Sequence, residues 1–127
     1  KGNSILRRGA QAIGDMLENS KSILQFGFCH HNLSLDDISF ISHGLRHNQS
    51  LKSLDLMGNS LNDFSLAILS KALSDNQSIE FLCLDFNDFG LVGIECIADM
   101  LRLNASLREL HLFGNRKGTC SIFVKNC

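Results

Sequence analysis

The stretch SLKSLDLMGNSLNDFSLAILSKALSDNQ, residues 50–77, combines two hydrophobic patterns. Its first half has leucine at positions 51, 54, 56 and 61 and asparagine at 59, and its second half is an amphipathic run that ends at Leu73. The same arrangement returns every 28 residues, in segments that begin at Ser22, Ser78 and Ser106. A fixed period with apolar residues in register indicates a solenoid, in which each repeat buries its apolar face against its neighbours.

Each repeat is predicted to contain one short strand and one helix. Strands are expected at about 25–29, 53–57, 81–85 and 109–113, and stacked in order they form one parallel sheet. The amphipathic runs carry an apolar stripe at helical spacing, such as Ala10, Ile13, Met16 and Leu17 in the first run. The predicted fold class is therefore α/β, with a curved parallel sheet and α-helices along its outer side.

This pattern resembles the leucine-rich repeat family, in the 28-residue form typified by ribonuclease inhibitor. The resemblance implies a segment of a horseshoe-shaped solenoid with a parallel concave β-sheet. Residues 1–127 are predicted to be a single leucine-rich repeat domain, with a partial repeat at 1–21, full repeats at 22–49, 50–77 and 78–105, and a degenerate terminal repeat at 106–127. Since residue 1 lies inside a repeat, the chain is expected to be a fragment. The tail at 116–127 is interpreted either as a cap on the stack or as a disordered segment.

One polar position recurs in the turn after each strand. Its members are Asn3, His31, Asn59, Asn87 and Asn115. The resemblance implies that this side chain bonds the backbone of adjacent turns, and an amide suits such a ladder because it both donates and accepts hydrogen bonds. A second asparagine recurs at the expected helix ends, at positions 48, 76 and 104, where we predict the left-handed conformation that closes a helix. The sequence Asn-x-Ser at these positions is also a glycosylation acceptor, and Asn32-Leu33-Ser34 adds a fourth. The period favours the structural interpretation for the three that are in register.

Side chains that alternate with the inward leucines should face the concave surface. We predict that this face binds a partner through strand and turn residues. They are Gln25, Cys29, Ser53, Asp55, Met57, Phe81, Cys83, Asp85, Phe86, Glu109, His111 and Phe113. Aromatic residues and methionine are typical of protein interfaces, and the carboxylates favour a basic partner. The predicted function is a protein-binding scaffold or recognition module, and not an enzyme.

Several alternatives within the family remain open. The 28-residue form also occurs in Ran GTPase-activating proteins, in intracellular immune receptors and in tropomodulins, which cap actin filaments. The segments DMLEN at 15–19 and LQFGF at 24–28 resemble the last repeat of the tropomodulins. A remote alternative is a thiol hydrolase, in which Cys83, His111 and Glu109 form a nucleophilic triad.

Composition narrows the class of partner. The chain has 12 basic and 13 acidic residues, a balance that argues against a nucleic-acid or membrane surface. No run is long and apolar enough to insert into a membrane, and no motif indicates a cofactor, a metal or a small-molecule substrate. The consecutive Cys29, His30 and His31 are interpreted as a chance cluster, because adjacent strand residues point to opposite faces. The five cysteines form no dense framework, which predicts reduced thiols and a cytoplasmic location.

Overall fold

The computed structural model describes residues 7–116 and 123–125. Helices and strands alternate through the repeats as α1 Arg7–Asn19, β1 Gln25–Gly27, α2 Leu35–His47, β2 Ser53–Asp55, α3 Asp63–Asp75, β3 Phe81–Cys83, α4 Leu91–Leu103, β4 Glu109–His111 and β5 Phe123–Lys125. The first four strands pair in parallel in chain order, and the predicted α/β solenoid is confirmed. Each of the four helices in the described ranges has 13 residues, and none is long and apolar enough to cross a bilayer.

The strands are shorter than the predicted five residues, but the backbone pairing continues beyond them. The Leu56 N–H donates to the Cys83 carbonyl at 3.0 Å, and the Gly58 N–H donates to the Asp85 carbonyl at 3.0 Å. Adjacent repeats therefore remain hydrogen-bonded into the turn that follows each strand.

The last strand differs from the others in direction. β5 pairs antiparallel with β4, with Val124 opposite Leu110. This pairing covers a strand edge that would otherwise present unpaired backbone groups. The remaining residues of the tail, 117–122 and 126–127, and the predicted ladder residue Asn3 lie outside the described residues.

The core lies between the sheet and the helices. The central residues of β2, β3 and β4 are fully buried leucines, at positions 54, 82 and 110, and the helices press their own leucines on them from one side. Met16 is an exception to the predicted stripe, because its side chain is 42% exposed. Separately, α1 and α2 approach closely at Gly14 and Gly44, where a Cβ on Gly44 would lie 2.3 Å from the Gly14 carbonyl oxygen.

The predicted ladder in the turns is present. The Asn87 Nδ2 donates to the carbonyl oxygens of Leu56 and Leu84, at 3.1 and 3.0 Å, and its Oδ1 accepts from the Asn59 and Leu61 N–H groups. Asn59 and Asn115 repeat the donating part of this arrangement in their own repeats. Each rung ties one turn to the turn of the neighbouring repeat.

A second ladder lies at the other end of the helices, and here the prediction was wrong. Asn48, Asn76 and Asn104 have extended backbones, with φ between −84° and −74°, and are not left-handed. The Asn76 Nδ2 donates to the carbonyls of Leu45 and Asn48, and its Oδ1 accepts from the two N–H groups that open the next repeat. These buried asparagine side chains bond backbone groups 28 and 31 residues away. The serine of each Asn-x-Ser sequence also has a structural role, because its hydroxyl donates to a backbone carbonyl of the preceding repeat.

Candidate functional site

The concave face is defined by three columns of strand residues and the turn column that follows them. Parallel pairing in register places Gln25, Ser53, Phe81 and Glu109 in the first column, Gly27, Asp55, Cys83 and His111 in the second, and Cys29, Met57, Asp85 and Phe113 in the third. The turn column contains His30, Gly58, Phe86 and Gly114. Of the predicted site residues, Gln25, Phe86 and Phe113 are exposed, Cys83 is buried and the others are half-buried.

Two exposed aromatic rings meet at the C-terminal edge of this face. Phe86 is 52% exposed and Phe113 is 53% exposed, and their rings form an edge-to-face pair with centroids 5.4 Å apart. A third ring, that of Phe81, packs on His111 at 5.1 Å within the columns. Because edge-to-face pairs position aromatic surface rigidly, Phe86 and Phe113 form a preorganised apolar contact area.

The backbone beneath Phe86 is unusual. Its φ is 55°, in the left-handed region that bulky residues seldom adopt, and His30 in the same column has φ 60°. The next member of the column is glycine in both cases, because a Cβ on Gly114 would lie 2.4 Å from the Phe86 ring and one on Gly58 would lie 2.3 Å from the His30 ring. The turn column therefore alternates an outward ring with the glycine that it covers.

The concave columns carry carboxylates and no strong cation. Asp55, Asp85 and Glu109 contribute three acidic groups, whereas no lysine or arginine occupies the twelve column positions. Two carboxylates are also held in place by the backbone: Asp55 Oδ1 accepts from the Met57 N–H at 3.0 Å, and Asp85 Oδ1 accepts from the Phe113 N–H at 2.7 Å. The face thus combines fixed negative charge with exposed aromatic surface.

The thiol, imidazole and carboxylate predicted as a remote triad do lie close together. Cys83 is opposite His111 in the register of β3 and β4, and a ring nitrogen of His111 lies 2.7 Å from Glu109 Oε1. However, burial, together with the nearby carboxylates of Asp55 and Asp85, raises the pKa of the Cys83 thiol to about 12. The reactive thiolate is therefore scarce near neutral pH, which disfavours a nucleophilic role for Cys83.

The consecutive Cys29, His30 and His31 have different neighbours. The Cys29 thiol faces the Asp55 carbonyl at 3.9 Å, the His30 ring covers Gly58, and the His31 ring stacks on Phe28 at 4.0 Å. The His31 backbone N–H donates to the Asn59 Oδ1, so this residue joins the turn ladder through its main chain. The three side chains do not converge on one point.

Some exposed apolar residues lie outside the surface that the sequence pattern predicted. Phe64 is 72% exposed, and Leu91 and Val92 are 73% and 56% exposed, all in the first turns of α3 and α4. Phe64 and Val92 occupy equivalent positions in neighbouring repeats. Their position outside the apolar stripe of each helix could have predicted this exposure, since residues outside the stripe face solvent.

Comparisons with known proteins agree with this architecture. A family model for the leucine-rich repeat matches residues 47–63 and 75–98. These segments are leucine-rich repeats, and the chain has the leucine-rich repeat fold. The match does not extend to the ribonuclease-inhibitor subtype, which stays a prediction. A search of curated protein sequences found no match.

Solved structures with a similar fold include the following two. The actin-binding site 2 of leiomodin-1 is 20% identical with a TM-score of 0.77, over 84% of this chain and 62% of that one. The tropomodulin C-terminal domain of Caenorhabditis elegans is 12% identical with a TM-score of 0.77, over 87% of this chain and 67% of that one. This chain therefore spans less than two thirds of the leiomodin-1 structure. At such identities, the likeness is one of fold.

Proposed function

We propose that this chain is a protein-recognition module that binds a basic segment of its partner on the concave face. The observation that carries the proposal is the exposed pair of Phe86 and Phe113 beside fixed carboxylates in columns that contain no lysine or arginine. Aromatic residues dominate binding energy at protein interfaces, while complementary charge controls association rate and partner choice. The high pKa of the Cys83 thiol supports binding over catalysis.

Actin is the partner to test first, because leiomodin-1's actin-binding site 2 has the same fold. This is a second, narrower candidate within the same proposal. The Ran GTPase-activating and immune-receptor alternatives stay predictions. Binding to purified monomeric actin decides the narrower candidate: if the chain does not bind actin, then actin is rejected, and the concave-face proposal is tested on partners captured by crosslinking.

The decisive experiment compares apolar truncations on two sides of the molecule. Phe113→Ala should weaken binding by about 2 kcal/mol, or roughly 30-fold, if this ring is a hot spot. Leu103→Ala is the matched control, since Leu103 is 69% exposed at the end of α4, away from the columns. Lys71→Ala and Asp99→Ala, at exposed helix positions, are charge controls. If these helix variants abolish binding while Phe113→Ala leaves it intact, the partner docks on the helices and the proposal is wrong.

Charge is tested separately from aromatic contact. Asp85→Asn keeps an acceptor for the Phe113 N–H and removes one negative charge, so the loop geometry should survive. We expect a smaller dependence of the association rate on salt, with a small change in the dissociation rate. An unchanged salt dependence would show that the acidic columns do not attract the partner.

We also propose that the chain works in a reducing, intracellular compartment. The described cysteines Cys29, Cys83 and Cys96 are free thiols. Three of the four Asn-x-Ser asparagines, Asn48, Asn76 and Asn104, are at most 7% exposed, so glycan attachment there would disrupt the second ladder, whereas Asn32 is exposed. Alkylation after unfolding without a reductant, followed by mass spectrometry, should label all five cysteines of the chain. A disulfide in the native protein would contradict this location.

A further inference from the structure

Two helices bring three potential metal ligands together, away from the concave face. His43 and His47 lie four residues apart on α2 and therefore project from the same side of the helix. Glu18, near the end of α1, faces both of them: its Oε2 lies 3.5 Å from His43 Nε2 and its Oε1 lies 3.9 Å from His47 Nδ1. One ligand atom from each residue lies within 4.8 Å of the other two.

These separations approach those of a metal site. Zinc is bound at about 2.0–2.2 Å by imidazole nitrogen and carboxylate oxygen, so two ligand atoms in a tetrahedral site lie about 3.3 Å apart. The Glu18–His43 separation of 3.5 Å already approaches this value, whereas His47 Nδ1 is 3.9 Å from Glu18 and donates to the His43 carbonyl oxygen at 3.0 Å. The exposed His47 ring must therefore release that carbonyl and rotate before this nitrogen can bind an ion. The side chains of His43, His47 and Glu18 are 60%, 48% and 36% exposed, which leaves room for water as a further ligand.

The backbone geometry brings these three positions together, as the next helix pair shows. One repeat later, the positions of Glu18, His43 and His47 are occupied by Arg46, Lys71 and Asp75. Arg46 Nε and Asp75 Oδ2 lie 3.0 Å apart there, in an ion pair between α2 and α3. The same contact between consecutive helices therefore recurs with a residue set that cannot hold a divalent cation, and α1–α2 is the pair that carries histidines.

We propose that Glu18, His43 and His47 bind one Zn²⁺, with solvent completing the coordination, and that the ion links α1 to α2. Two imidazoles and one carboxylate form a ligand set that suits zinc. The ion would hold together the two helices that already approach closely at Gly14 and Gly44. This assignment departs from the sequence-based expectation that the chain binds no metal. Glu18 is 25 residues before His43 in the sequence, and only the fold brings the two side chains together.

The test is a calorimetric titration of the full, metal-free chain with Zn²⁺, in wild type and in four variants. We expect one binding event in wild type that His43→Ala and His47→Ala abolish. Glu18→Gln should weaken it by at least about tenfold, since even the loss of a group behind a metal ligand costs about 10–100-fold in affinity. Lys71→Ala, at the position equivalent to His43 in the next helix, is the matched control and should bind as wild type does. Every variant keeps the same cysteines, so zinc bound by thiols does not differ among them.

A second readout connects binding to the fold. Zn²⁺ should raise the Tm of wild type and of Lys71→Ala, because a ligand that binds only the folded chain stabilises it, and should leave the Tm of both histidine variants unchanged. Circular dichroism without metal verifies that each variant is folded, as expected for exposed positions. If the histidine variants bind Zn²⁺ as wild type does, then the site is elsewhere and the proposal fails. If Glu18→Gln binds as wild type does, then the histidine pair acts alone and no ion bridges the helices.

Discussion

Replacing Asn76 with alanine should destabilise the repeat stack more than a typical polar substitution. The Asn76 side chain is 1% exposed and forms four hydrogen bonds with the backbone. It donates to the Leu45 and Asn48 carbonyls at 2.8 and 3.0 Å, and it accepts from the Ser78 and Ile79 N–H groups at 2.9 and 2.9 Å. Alanine leaves all four backbone groups without this partner in the interior.

The magnitude follows from the number of bonds. A hydrogen bond contributes about 1 kcal/mol net, and a buried group left unpaired costs about 1–3 kcal/mol, so four bonds correspond to a loss of at least about 4 kcal/mol. This is a large part of the 5–15 kcal/mol by which domains are typically stable. With a urea m-value of about 2 kcal/mol/M, the unfolding midpoint should fall by about 2 M.

Urea unfolding followed by circular dichroism measures this shift. Gln49→Ala is the control, because Gln49 occupies the exposed position between Asn48 and Ser50 and its loss should change stability by less than about 0.5 kcal/mol. Asn76→Asp separates hydrogen bonding from volume, since a carboxylate still accepts from the two N–H groups but faces the two carbonyls without a proton to donate. If Asn76→Ala unfolds at the urea concentration of Gln49→Ala, then the second ladder does not stabilise the fold and the reasoning is refuted.

Three further predictions concern the core and the thiols. Leu82→Ala removes a fully buried side chain and should cost about 2–5 kcal/mol in the same urea assay; an unchanged midpoint would contradict the register. Gly44→Ala places a Cβ 2.3 Å from the Gly14 carbonyl and should cost about 1–3 kcal/mol, whereas Gly27→Ala meets nothing closer than 3.8 Å and should be tolerated. In the native protein at neutral pH, iodoacetamide should alkylate Cys83, with its pKa of about 12, more slowly than the half-exposed Cys96; fast reaction of Cys83 would revive the thiol-hydrolase alternative.

The sequence period predicted the stacking because each apolar column must be buried by the next repeat. The pairing of Leu54 with Leu82 in β2 and β3 follows directly from a spacing of 28 residues. The conformation of Asn76 was not predictable in the same way, since its partners are carbonyls 28 and 31 residues earlier and the local signal suggested a left-handed cap. Met16 was wrongly placed in the core because the equivalent positions Gly44, Ala72 and Met100 belong to helices that follow another helix, whereas α1 is the first helix of the described residues.

The candidate site was likewise predictable only in part from the sequence. Alternation along the strands predicts which residues face the concave side, and Phe86 and Phe113 are indeed exposed there. Alternation does not predict how much of each residue remains accessible: Cys83 is 7% exposed although its column faces outward. The zinc site escaped prediction because it depends on how far apart two helices pack, which no pattern within a single helix specifies.

Phe86 is the residue at which the cost to the fold and the proposed benefit to binding can be separated. Its left-handed backbone, with φ 55°, costs about 1–2 kcal/mol relative to glycine, which occupies this turn position in two other repeats. Against this, the ring is only half-buried, so its packing on Gly114 and Phe113 contributes about 1 kcal/mol.

Phe86→Gly should therefore change the free energy of unfolding by less than about 1 kcal/mol, because relief of strain offsets the lost contact and the added chain entropy. Binding to the partner should nevertheless weaken by about 2 kcal/mol, because the edge-to-face pair with Phe113 is lost. Urea unfolding and a binding titration on the same preparation measure both quantities, with Leu103→Ala as the exposed apolar control. If Phe86→Gly destabilises the fold strongly and leaves binding intact, the ring is a structural element of the turn, and the aromatic edge is not the recognition surface.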